Sequence, residues 1–65
     1  MTITLLQYNT NFQSDLLIDK SGKTIGIRET FLHPFYRVDY YPIMRKHTKK
    51  QIQSWFERAE QEATK

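Results

Sequence analysis

Short apolar runs separated by polar turns fill the first half of the chain and predict β-strands. Thr2 to Tyr8 combines apolar and β-branched residues, which favour a strand, and Asn9 to Asn11 has the composition of a turn. Leu16–Ile18 and Thr24–Ile27 flank a polar loop that contains a glycine, a pattern typical of a β-hairpin. Gly26, inside the second arm, predicts a bulge or a close approach of the backbone to another element.

An aromatic segment from Phe31 to Ile43 follows, and two prolines divide it. Pro34 and Pro42 bracket a predicted strand from Phe35 to Tyr41, because proline cannot donate to the hydrogen-bond ladder and therefore lies at strand ends. Side chains alternate between the two faces of a strand. One face, the better candidate for the core, carries Tyr36, Val38 and Tyr40, and the other carries Phe35, Arg37, Asp39 and Tyr41.

The apolar spacing changes to a helical period in the last third of the chain. From Thr48 to about Ala63, one helical face collects Ile52, Trp55, Phe56, Ala59 and Ala63. Trp55 and Phe56 are expected to be the largest side chains buried between helix and sheet. Thr48 is a candidate N-cap, and Gln51 stands where it closes a capping box, although Lys49 and Lys50 oppose the helix dipole.

These elements predict an α+β fold in one small domain spanning residues 1–65. The expected architecture is an antiparallel sheet of three or four strands with one C-terminal amphipathic helix packed on it. A chain of 65 residues buries only about 60% of the surface that its unfolded form exposes, so its core is thin. Self-association into an oligomer is therefore a second expectation.

The amino-acid composition argues against several classes of protein. The chain has no cysteine, which excludes disulfides and thiolate metal sites and agrees with a cytoplasmic location. Its first residues lack the basic start and long apolar run of a signal peptide, and no apolar run reaches the roughly 18 residues of a membrane span. No membrane partner is expected.

The positive charge is concentrated in one short segment. The first 44 residues carry four basic and four acidic side chains, and the last 15 carry two basic and three acidic ones. Residues 45–50, which we call the basic segment, supply four cationic side chains: Arg45, Lys46, Lys49 and Lys50. Such a segment attracts phosphates or an acidic protein surface, and it is also compatible with a solvated start of the helix.

Motifs for catalysis or cofactor binding are weak. The stretch Ser21 to Thr24 is similar to the end of a phosphate-binding loop, but Leu17 stands where that motif needs glycine and a strand rather than a helix follows. His33 and His47 are the only imidazoles and lie in different elements, so a zinc site of three or four ligands is not expected. No catalytic residue, metal or cofactor is predicted, and the chain is expected not to be an enzyme.

Two DNA-binding families share local features with the helix. Gln51, Ile52, Trp55 and Phe56 resemble the start of the homeodomain recognition helix, but Arg58 stands where that family has its base-reading asparagine, and strand-like residues replace the two preceding helices. The order of strands followed by one helix, with Thr48-Lys49-Lys50 before Trp55, resembles the outline of the arm-type DNA-binding domains of phage integrases. That outline implies a sheet that enters the major groove.

The sequence therefore leaves two functional hypotheses. The first is a small regulatory protein that binds another protein, with an aromatic strand and the basic segment as its contact surface. Tyrosine and arginine dominate such surfaces, and the predicted partner-binding residues are Tyr36, Arg37, Tyr40, Tyr41, Arg45, Lys46, Lys49 and Lys50. The alternative is a nucleic-acid-binding module of the kind found in phages and mobile elements. It would place the four cations of the basic segment on phosphates, with Arg28, Arg37 or Tyr36 on bases.

Overall fold

Four consecutive strands form one antiparallel sheet, and a single helix covers one of its faces. The computed structural model describes residues 1–63, with β1 at Thr2–Tyr8, β2 at Phe12–Ile18, β3 at Thr24–Phe31, β4 at Arg37–Pro42 and α1 at Lys49–Ala63. The strands lie in the order β1-β2-β3-β4, so each connection is a hairpin. The predicted α+β fold with a C-terminal helix is confirmed.

Two strands are longer than the apolar pattern indicates, and one is displaced. β2 begins at Phe12 and β3 ends at Phe31, because these residues pair across the ladder and their rings lie 5.1 Å apart. β4 begins at Arg37, which pairs with Phe31, rather than at Phe35. Phe35 and Tyr36 consequently belong to the β3–β4 loop, which also contains a cis peptide bond between His33 and Pro34.

The loop between β2 and β3 is organised by one carboxylate. Asp19 Oδ1 accepts hydrogen bonds from the Ser21 hydroxyl at 2.6 Å and from the backbone amides of Ser21 and Lys23 at 2.9 and 3.0 Å. The Ser21 hydroxyl contributes most to holding the pKa of Asp19 below its ordinary value. Gly22 adopts a left-handed φ of 87°, which glycine tolerates without strain. The stretch similar to a phosphate-binding loop is thus a hairpin turn.

Helix α1 starts with the reciprocal hydrogen bonds that its sequence predicts. The backbone N–H of Gln51 donates to Thr48 Oγ1 at 3.2 Å, and the backbone N–H of Thr48 donates to Gln51 Oε1 at 2.8 Å. This capping box satisfies first-turn amides despite the two lysines beside it. No helix within residues 1–63 is long and apolar enough to cross a membrane.

The core is a small cluster between α1 and the middle of the sheet. Phe56, Ile52 and Leu17 are fully buried, and Ile25 and Ala59 complete the set of buried apolar residues. Trp55, expected in this core, is only half-buried and packs at its margin against His47, and Ala63 is exposed. Successive helical residues differ by about 100° in direction, so Phe56 rather than Trp55 points at the sheet.

Gly26 lies where the helix comes closest to the sheet. A Cβ at this position would lie 2.7 Å from Ile52 Cγ2 and 3.0 Å from Ile52 Cδ1, well inside van der Waals contact. Gly26 pairs with Leu17 on β2 and with Pro42 on β4. The close approach predicted for Gly26 is therefore made by Ile52, and it identifies the sheet face that the helix covers.

We expect Gly26→Val to destabilise the fold by about 1–3 kcal/mol, because the new side chain overlaps the fully buried Ile52. Ile52→Ala removes the overlapping atoms, so the double variant should lose less than the sum of the two single losses. Urea unfolding of the four proteins measures this coupling. Strict additivity would contradict the contact. The control is Gly22→Ala, whose Cβ meets nothing within 4 Å and which should show no coupling to Ile52→Ala.

Candidate binding surface

The sheet has one face under the helix and one face that residues 1–63 leave uncovered, which we call the open face. Residues paired directly across strands lie on the same face. Gly26 and Tyr40 mark the helix side, since Gly26 abuts Ile52 and the Tyr40 ring lies 5.8 Å from the Phe56 ring. By alternation, Ile27 and its partners Leu16 and Tyr41 lie on the open face.

The open face carries apolar residues on three strands, in two rows separated by the polar row of Ser14, Glu29 and Asp39. Its apolar members are Phe12, Leu16, Ile18, Ile27, Phe31 and Tyr41. All of them are partly accessible, and Tyr41 is 39% exposed. The same face also carries Glu29, Arg37 and Asp39, so its charge is close to neutral with a small acidic excess. Interfaces between proteins commonly combine apolar and polar contact residues, so this face is a candidate protein-interaction site.

The tip of the β3–β4 hairpin, residues 32–36, projects two aromatic rings into solvent. Phe35 is 82% exposed and Tyr36 is 73% exposed, the two highest values among the exposed large hydrophobic residues. Leu32 on the same tip is also exposed. Rings held this far from the core contribute little to folding, which leaves them available to fill a pocket on a partner.

Arg37 connects the hairpin tip to the open face. Its guanidinium lies 4.7 Å from the centre of the Phe31 ring, and its Nε donates to Asp39 Oδ2 at 3.1 Å. The Arg37 side chain remains 67% exposed. The ion pair and the ring contact hold the guanidinium beside the Phe31 ring, with much of the side chain accessible.

The two neighbouring tyrosines of β4 point in opposite directions. Tyr40 is half-buried on the helix side, where it packs against Phe56. Tyr41 lies on the open face, where partial desolvation and then the negative charges of Asp39 and Glu29 raise the pKa of its hydroxyl. Of the predicted pair, the structure therefore brings Tyr41 to the open face and places Tyr40 against the core.

The basic segment continues this surface at the end of β4. The Nζ of Lys49 lies 5.6 Å from the centre of the Tyr41 ring, within the range of a cation–π contact. The four cationic side chains of the basic segment are all exposed, and within residues 1–63 none of them forms an ion pair. His47 is half-buried against Trp55, with ring centres 4.9 Å apart, and so belongs to the helix packing.

Arg28, proposed as a base contact in the nucleic-acid hypothesis, lies on the opposite side of the sheet. Its guanidinium forms an ion pair with Asp15 at 3.1 Å, forms another with Glu60 on α1, and lies 4.7 Å from the centre of the Phe56 ring. Burial lowers the pKa of Arg28, but the hydrogen bonds that its guanidinium donates to Glu60 and Asp15 outweigh this effect and raise the pKa overall. Arg28 thus links β2, β3 and α1 and is not available to a partner.

Sequence reasoning missed two parts of the exposed apolar surface. Phe35 was expected on a strand face and instead lies at the tip of the β3–β4 loop. The preceding residue, Pro34, is a signal for such a loop, because proline favours turns. Leu5 and Leu6 of β1 are 56% and 59% exposed, and the lack of any charge in Thr2–Tyr8 is the signal that could have identified them.

Chemical groups suited to metal binding do not converge within the described residues. Residues 1–63 contain no group of three or more His, Cys, Asp or Glu side chains placed to hold a metal ion. Comparison with known proteins identifies no family or neighbour: no protein-family model, no curated protein and no solved structure matches the chain.

Proposed function

We propose that this chain is a small non-catalytic protein-binding module. Its contact surface consists of the hairpin tip, the open face of β3 and β4, and the basic segment. The partner is a protein that offers an apolar patch to the aromatic rings and acidic residues to the adjacent lysines. In this proposal Phe35, Tyr36 and Tyr41 are the anchors, and the basic segment steers the encounter.

The contact between Lys49 and Tyr41 carries the proposal. It joins the aromatic strand and the basic segment, which are separate features of the sequence, into one continuous surface. Exposed rings at one end and exposed cations at the other match the usual arrangement of a binding site, in which aromatic anchors supply affinity and rim charges supply association rate.

Charge distribution favours a protein partner over a nucleic acid. A sheet that binds nucleic acid carries basic residues across its contact face, because most contacts go to phosphate. Here the open face carries Glu29 and Asp39, and its one arginine, Arg37, is already paired with Asp39. These two carboxylates repel phosphate from the centre of the surface, while the basic segment attracts acidic groups only at its edge.

A capture experiment with matched variants tests the proposal. The tagged chain is incubated with a lysate of its source organism, with and without nuclease treatment, and retained proteins are identified by mass spectrometry. We expect a partner that Phe35→Ala with Tyr36→Ala releases and that Tyr8→Ala retains. Tyr8 is the matched control because it is 64% exposed on β1, a strand that is not part of the proposed surface. Equal retention by both variants, or loss of the partner after nuclease treatment, would refute the proposal.

The same surface predicts weak binding to random duplex DNA at physiological salt. If the basic segment did bind phosphates, its four cations would permit a log–log salt dependence of roughly −3 to −4, at about −0.9 per phosphate. Fluorescence anisotropy with a labelled duplex over a salt series measures this slope. Sub-micromolar binding whose slope falls by about two units in Lys49→Ala with Lys50→Ala would support the nucleic-acid alternative instead.

A further inference from the structure

The two edges of the sheet differ in how well they resist pairing with another strand. β4 ends in Pro42, carries the Arg37–Asp39 ion pair and is flanked by the proline-containing loop. These features discourage edge-to-edge association. β1, the other edge, has seven residues with no charge and no proline. Its one irregularity is a register shift between Leu5 and Gln7, which leaves Thr2–Leu5 as a regular unpaired edge.

Exposed apolar side chains lie along the β1 edge, on the side of the sheet that the helix covers. Leu5 pairs with Asp15 and so lies on the helix side, yet it is 56% exposed, because α1 packs over the middle of the sheet. Between β1 and the end of α1 lies an open groove of about 600 Å³, lined among others by Met1, Ile3, Ala59 and Ala63. The core of the isolated chain is therefore incomplete along β1.

We infer that β1 pairs antiparallel with β1 of a second copy of this chain, forming a two-fold symmetric dimer with an eight-stranded sheet. Antiparallel pairing of identical strands requires the two-fold axis to run perpendicular to the sheet, so both helices lie on the same side. Ile3 and Leu5 of one copy then meet the same residues of the other beside the groove. The two open faces become one continuous surface.

Charge placement identifies a second copy as the occupant of this edge. The net charge of +3 is concentrated in the basic segment, which lies beside Tyr41 on β4, at the far edge of the sheet. Pairing through β1 puts the two basic segments at opposite ends of the eight strands, whereas pairing through β4 would bring them together. Charges near the groove are mixed, since Glu62 on its rim also lines an adjoining pocket together with Lys20 and Arg58. Neither the edge nor its rim repels an identical copy.

This dimer does not depend on the proposed partner surface, because the two lie at opposite edges of the sheet. If the chain does not dimerise, the proposed role of the hairpin tip and the basic segment is unaffected. If no partner is captured, the inference about the β1 edge is unaffected. The two proposals are therefore tested by different measurements on different variants.

Mass measurement in solution is the first test. Size-exclusion chromatography with light scattering at roughly 100 µM, well above a micromolar Kd, should report twice the mass of the 7.9-kDa chain. Leu5→Lys should weaken self-association at least about a thousandfold and so give a mostly monomeric protein at this concentration, since a lysine pointing inward at an edge opposes pairing and the two-fold axis places two of them in the contact. Ile43→Lys, at an equally exposed apolar position near the basic segment, should remain dimeric. Circular dichroism verifies that both variants are folded.

Spin labels identify which edge forms the contact. The chain lacks cysteine, so Thr4→Cys or Asp39→Cys introduces a single labelling site on the open face of β1 or β4. In the inferred dimer the Thr4 labels lie within roughly 20 Å, while the Asp39 labels are separated by seven strand spacings of about 4.8 Å, or roughly 34 Å. A monomeric wild-type chain, a dimer that survives Leu5→Lys, or short distances from Asp39 instead of Thr4 would overturn the inference.

Discussion

Phe56→Ala is expected to unfold the domain or leave it only marginally folded at room temperature. Phe56 is fully buried and lies at the centre of the helix–sheet contact, against Tyr40 on β4 and under the guanidinium of Arg28 on β3. Truncation of a buried phenylalanine to alanine costs about 3–5 kcal/mol, since the transfer free energy is lost and a cavity remains. Small domains have total stabilities of about 5 kcal/mol at the low end, so this loss is of the same size.

Thermal and urea unfolding, followed by circular dichroism, measure this effect. Trp55→Ala is the matched control on the adjacent helical position. Because Trp55 is only half-buried, its truncation should cost about 1–2 kcal/mol and leave a folded protein. A greater loss from Trp55→Ala than from Phe56→Ala would mean that the tryptophan, not the phenylalanine, fills the core.

Asp15→Ala is expected to destabilise the fold by about 3 kcal/mol, because it leaves the Arg28 guanidinium largely buried without its buried carboxylate partner. The Asp15 side chain is 5% exposed and the Arg28 side chain 14% exposed, so water replaces little of the lost interaction. Glu60 still reaches Arg28 from the helix, which keeps the loss near the lower end of the range for broken buried ion pairs.

Two further variants distinguish loss of the ion pair from loss of packing as the cause of the destabilisation in Asp15→Ala. Asp15→Leu with Arg28→Met replaces both charges by apolar groups and should recover most of the stability lost in Asp15→Ala. Glu60→Gln should cost less than about 1 kcal/mol, because Glu60 is half exposed and surface ion pairs contribute little. If the apolar double variant is no more stable than Asp15→Ala, the unpaired charge is not the cause of the loss.

Local patterns in the sequence predict much of this fold. The apolar run of β1 predicts its bounds, the helical spacing from Ile52 onward predicts α1, and Thr48 with Gln51 predicts the cap that the structure contains. These features depend on residues close together in the chain. The sequence likewise predicted that the backbone at Gly26 forms a bulge or lies close to another element, but it could not indicate that the contacting residue is Ile52.

The candidate surface was predicted less completely, since exposure depends on distant residues. Tyr40 and Tyr41 are chemically almost equivalent in the sequence, yet the register with β3 places one against Phe56 and the other on the open face. The displaced start of β4 moves Phe35 from a strand to a solvent-exposed tip. The charged residues within β2 and β3 obscured their length, because Asp15 and Arg28 are tolerated inside the fold as members of an ion pair that the sequence alone does not reveal.

The sequence by itself determined the elements, their order and the concentration of positive charge in one segment, since periodicity, turn chemistry and composition are local properties. Tertiary structure decided which side chains share a surface. It joined Lys49 to Tyr41 across the end of β4, turned Arg28 inward to Asp15 and Glu60, and left β1 as an uncharged edge. The physical reason is that strand register and the crossing of the helix are set by packing over the whole sheet. A change of one residue in register exchanges the two faces of a strand.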